Sequence, residues 1–129
     1  MAMQARAQKI RRIVKAQEQL KLAEEWRLRS LDGKLAKTET AEGELVAALG
    51  ADSALHGLFV DATVRRLRAV AEDVARIREA KERQSRKLLA SAVLLRTAER
   101  LSAAAEQELQ REIEKKELLE LIEQLVQWR

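Results

Sequence analysis

The 129-residue sequence has no proline, no cysteine and no tyrosine, and only four glycines, one histidine and three other aromatic residues. Without proline, the strongest helix breaker is missing. Without cysteine there are no disulfides and no thiolate metal sites, which agrees with a reducing compartment. A lone His56 excludes a paired-histidine metal site and a repeated Glu-x-x-His bundle motif, and reads as an exposed residue beside a turn. The four glycines are isolated, so they form neither a phosphate-cradling loop nor a dinucleotide fingerprint. With Trp26, Phe59 and Trp128 as the aromatics, two helices cannot wrap a deep core, which argues against a compact enzyme. No stretch reaches the 18 or more apolar residues of a membrane span. The first residues, Met-Ala-Met-Gln-Ala-Arg, lack the apolar core of a secretory signal. The expectation is a soluble, cytoplasmic protein without membrane insertion.

What is present is rich in Ala, Leu, Glu, Arg, Lys and Gln, the best helix formers, and 36% of residues are charged. Ile10, Ile13, Gln17, Leu20, Glu24, Leu28, Leu31, Leu35, Thr38, Glu42, Leu45 and Leu49 recur at three- and four-residue steps, the period of a coiled-coil seam. Gly50-Ala51-Asp52-Ser53 is the strongest interruption. Gly50 suits a left-handed position after a helix, and Asp52 or Ser53 can cap the next one. Asp32-Gly33 is a weaker break that the Leu28, Leu31, Leu35 spacing runs through, leaving Gly33 mid-helix at about 1 kcal/mol. A second seam follows from Leu55, Leu58, Phe59 and Ala62 through Leu67, Val70, Val74, Ile77, Lys81, Gln84, Leu88, Ser91, Leu95, Ala98, Ser102 and Ala105 to Leu109.

The pattern predicts an all-α fold, a single antiparallel coiled-coil hairpin over residues 1–129. Its helices lie near residues 3–49 and 54–128, with a turn at 50–53. Folding about residue 52 pairs positions whose numbers sum to roughly 104. Ile10 then meets Leu94 and Leu95, Leu35 meets Val70, Leu45 meets Phe59, and Glu24 faces Lys81. The second helix is longer, so about 25 residues from Ala104 to Arg129 overhang by nearly 40 Å. That stretch is striped with Leu109, Ile113, Leu118, Leu119, Leu121, Ile122, Leu125, Val126 and Trp128, and such a stripe on a lone helix calls for a partner.

Charge is segregated although the net value is +4. Six basic residues oppose Glu18 alone between Met1 and Lys21, and nine oppose four acids between Arg65 and Lys87. Between Glu106 and Glu123 the sign reverses, with seven glutamates against Arg111, Lys115 and Lys116. Pairs four residues apart, such as Glu79 with Arg83 and Glu112 with Lys116, are ordinary support for an exposed helix. The basic clusters suit an acidic protein surface better than nucleic acid, because no aromatic residues interleave for stacking and acids intrude throughout. The carboxylates sit among basic neighbours where nothing prepares them for acid catalysis. No catalytic residue, metal or cofactor is expected.

A long two-helix hairpin, basic in its middle and with a protruding second helix, resembles the FliJ and YscO family of flagellar and type III secretion export proteins. Leu58-Phe59-Val60-Asp61-Ala62-Thr63-Val64-Arg65-Arg66-Leu67 is similar to the aromatic-aliphatic stretch opening that family's second helix. The resemblance implies a stalk like the shaft of a rotary ATPase, with its paired terminal end in the export ATPase ring and the turn-proximal second helix on the export gate. It would be peripheral to a membrane-embedded apparatus through protein contacts. Carried onto this sequence, the gate-facing residues are Phe59, Thr63, Arg66 and Val70, with Thr63 and Arg66 departing from the apolar or small residues the family favours there. Charge and apolar surface nominate Arg6, Lys9, Arg11, Arg12 and Lys15, with Leu118, Leu121, Leu125 and Trp128, as ATPase-facing. Two other readings remain: a structural coiled coil that forms a homodimer through residues 104–129, and a chaperone or adaptor that presents its stripe to a client helix.

Overall fold

A chain of strong helix formers without proline has little reason to leave the helical region. In the computed structural model, which describes residues 2–50 and 56–128, α1 spans Ala2–Leu49 and α2 spans His56–Gln127. The fold is all-α: two long helices pair antiparallel as a coiled-coil hairpin, and α2, at 72 residues against 48, overhangs. Helix α1 runs unbroken through Asp32-Gly33. Gly50 ends it with its N–H donating to the carbonyls of Val46 and Ala47, both at 3.2 Å. Gly50 is not left-handed, contrary to expectation, since no described glycine has a positive φ. The proposed caps Asp52 and Ser53, and Leu55, lie outside the described residues, as does the side chain of His56.

Burial locates the seam. In α1 every step of 7, 10, 14, 17, 21, 24, 28, 31, 35, 38, 42, 45 and 49 is buried or half-buried. In α2 the same holds at 60, 63, 67, 70, 74, 77, 81, 84, 88, 91, 95, 98, 102, 105, 109 and 112. Both follow strict alternation of three and four. The heptad letters are therefore a for Ala7, Val14 and Lys21 and d for Ile10, Gln17 and Glu24 in α1. In α2, a falls on Leu95, Ser102 and Leu109 and d on Ser91, Ala98 and Ala105. Ile13 and Leu20, expected in the seam, are 48% and 51% exposed; Val14 and Lys21 take their places. Leu20, Glu24 and Leu28 would be two steps of four in succession, a stutter that rotates the stripe away from its partner. Glu24 to Lys21 keeps the alternation. Phe59 and Ala62, also expected there, are exposed, with Val60 and Thr63 inside.

The contacts divide the chain into two units. The first comprises Ala23–Leu89. Here Val74 and Gln84 are buried, at 3% and 6% exposure. Gln84 Nε2 donates to the backbone carbonyl of Glu24 at 3.1 Å and to the Glu24 carboxylate. Lys81 meets Asp32 and Arg78 meets Glu39, each at 2.9 Å. Glu24 therefore faces Gln84, not Lys81. The seam threonine Thr38 returns its hydroxyl to the Lys34 carbonyl at 2.7 Å, so it enters the seam without an unmet donor.

The second unit comprises Met1–Leu22 and Ala90–Arg129. Its core is made of small residues, Ala7, Ala98 and Ala105, with Leu95. Side chains this short let two helices approach closely but bury little apolar area each. Arg11 pairs with Glu106, numbers that sum to 117 and not 104, so the first arm lies further along α2 than a turn centred at residue 52 would set it. Coverage of α2 accordingly lasts to Glu112, well beyond Ala104, and every described side chain from Ile113 to Trp128 is exposed.

Candidate partner-binding surfaces

The open part of α2 is the first surface. Leu118, Leu121, Ile122, Leu125 and Trp128 line one shallow apolar groove with Gln124. Trp128 is 91% exposed and Leu125 70%, unusual for side chains of this size. Leu118, Leu121, Leu125 and Trp128, nominated from the sequence, thus share a face, and Ile122 joins them.

The basic candidates near the start of α1 do not form one patch. Arg6, Lys9, Arg11, Arg12 and Lys15 are all exposed, but they occupy heptad positions g, c, e, f and b, spread around the outward side of the helix. Arg11 is engaged by Glu106; the other four make no ion pair among the described residues. In the other unit, Phe59 is 58% exposed and Arg66 is exposed, both at g, whereas Thr63 and Val70 are half-buried d positions in the seam. Of that quartet, Phe59 and Arg66 offer most of their surface to a partner.

The sequence reading missed a surface along one flank of the unit that contains the overhang. In an antiparallel coiled coil e positions face e and g positions face g. Arg11 with Glu106 is an e–e pair, as is Glu39 with Arg78 in the other unit. The e flank is mainly polar, with Gln4, Arg11 and Glu18 against Glu99 and Glu106, and Ala92 and Ile113 are its apolar members. The g flank carries Ile13 and Leu20 from α1 and Leu94 and Leu101 from α2, each about half exposed. Exposed small residues at c border it: Ala16 on α1, and Ala90, Thr97 and Ala104 on α2. Its signal in the sequence was the repeat of seven from Ile13 to Leu20 and from Leu94 to Leu101, running beside the seam.

Among the described residues no group of three His, Asp or Glu is placed to hold a metal ion, and no helix is long and apolar enough to cross a membrane. No family model matches the chain, and no curated protein or solved structure gives a significant match to it.

Proposed function

We propose that this chain is a non-enzymatic coiled-coil interaction protein, acting in the cytoplasm as a stalk or chaperone component of a flagellar or type III protein export apparatus. The observation that carries this reading is the bare apolar groove of Leu118, Leu121, Ile122, Leu125 and Trp128 on a helix that has outrun its partner. An exposed stripe on a single helix is the form in which helix-in-groove recognition is delivered. In this role the groove enters the export ATPase ring, with Arg6, Lys9, Arg12 and Lys15 meeting acidic residues there. Phe59 and Arg66 contact the export gate. The chain has no chemistry of its own, and its link to the membrane-embedded apparatus is through proteins.

The test is direct binding between the purified chain and a purified export ATPase, followed by co-sedimentation. Leu118→Glu with Leu125→Glu is expected to weaken capture at least about a hundredfold, the loss of two anchors of about 1.5 kcal/mol each. Capture unaffected by that pair, or no capture by the unaltered chain, would remove the export role.

A further inference from the structure

The overhang and the apolar flank lie on the same face of the same helix. Along α2 the g and c positions read Ala90, Leu94, Thr97, Leu101, Ala104, Glu108, Arg111, Lys115, Leu118, Ile122 and Leu125, a second heptad seam beside the first. All of these side chains are exposed. The seam is apolar at both ends and charged at its centre, where Glu108 and Arg111 make no ion pair among the described residues.

We infer that this face binds a second copy of the chain in an antiparallel, two-fold arrangement, the overhang of each copy lying on the Ile13–Leu20–Leu94–Leu101 flank of the other. The sequence is complementary to its own reverse. When one α2 is laid antiparallel on another with its two-fold axis between Glu108 and Arg111, Leu118 meets the second copy's Leu101 and Leu125 meets its Leu94. Ile122 meets Thr97, Lys115 meets Ala104, and Glu108 and Arg111 pair twice across the axis. Only this step of the heptad achieves it. A shift of one heptad one way sets Leu118 against Glu108, and the other way sets Leu101 against Arg111. Charge at the centre thus selects the register that the leucines favour.

Size agrees as well. Ile13, Leu20, Leu94, Leu101, Leu118, Ile122 and Leu125 are 48–70% exposed. Two copies close fourteen such side chains, which puts the interface in the range of about 1,200–2,000 Å² of a stable complex. The symmetry is closed, so pairing ends at two chains. The inference does not rest on the export reading, but it shares Leu118, Ile122 and Leu125 with it, so a second copy and an ATPase partner would compete for that face.

The experiment is sedimentation equilibrium of the full chain over a hundredfold concentration range. The expected species is a dimer, twice 14.7 kDa. Leu118→Glu, on a segment that no arm covers, is expected to weaken it at least about tenfold without changing the helical circular dichroism. Glu108→Arg alone and Arg111→Glu alone are each expected to weaken it at least about tenfold, because symmetry repeats each repulsion. The two together should restore pairing to within about threefold of the unaltered chain. A chain monomeric throughout, a mass above the dimer, or a double exchange that fails to restore pairing would overturn the proposal.

Discussion

Replacing Glu24 and Gln84 by leucine, singly and together, should give stability changes of opposite sign. Gln84 is 6% exposed and donates through Nε2 to both the carbonyl and the carboxylate of Glu24. The Glu24 side chain is 13% exposed and also holds Arg27 at 3.1 Å. In Gln84→Leu a hydrogen bond to a charged group is lost, a cost of about 1.5–3 kcal/mol, against about 1.5 kcal/mol from the added apolar burial. The balance is a loss of about 0–1.5 kcal/mol, mostly the penalty of a carboxylate left facing leucine. In the double variant no carboxylate remains there and two leucines continue the stripes of Leu28, Leu31 and Leu88. A gain of about 1–3 kcal/mol is expected, as when a buried polar pair is exchanged for well-packed apolar residues. Urea unfolding followed by far-ultraviolet circular dichroism on the parent, both singles and the double gives the coupling, which should favour the double variant by at least about 1 kcal/mol. A Gln84→Leu variant more stable than the parent, or a double variant less stable, would refute the reasoning.

Gly33 and Gly43 lie inside α1 with helical backbone and nothing within 4 Å of an added Cβ. Ala at each should stabilise by about 0.8–1 kcal/mol, read as a rise in the urea midpoint. Gln17 has its Oε1 buried with no hydrogen-bond partner among the described residues, so Gln17→Leu should gain about 1–2 kcal/mol in the same assay. Arg11→Ala should cost less than about 1 kcal/mol, and less still at high salt, because its pairing with Glu106 joins two side chains about half exposed.

Much of the hairpin could be read from spacing because its seams keep one period. From Glu24 to Leu49 and from Leu67 to Leu109, apolar residues occupy enough a and d positions to fix the phase, and Gln84, Lys81 and Ser91 are carried along by their neighbours. Near the start of α1 hydrophobicity points the other way. Ile13 and Leu20 are more apolar than Val14 and Lys21, yet continuity of the heptad from Glu24 backward selects the second pair, and Ala7 with Ala105 closes the end. The register could not be counted from the turn residues. A four-residue turn sets the centre of pairing at about 52, whereas α2 begins at His56 and the ion pairs move that centre to about 57–58. That shift shortens the overhang, and with the change of phase it converts Ile13 and Leu20 from core into exposed flank. The groove of Leu118 to Trp128 was legible because it depends on helix phase alone. The flank was not, because it depends on the phase of both helices at once.

The surfaces proposed for partners rest on one register, so its measurement tests the account most directly. The chain has no native cysteine, which allows two variants, Arg11→Cys with Glu106→Cys and Arg11→Cys with Val93→Cys, to be treated with a short thiol-reactive cross-linker at high dilution. The account predicts an internal link in the first variant and none in the second, leaving α2 bare beyond Glu112. A link through position 93 and none through 106 would contradict it.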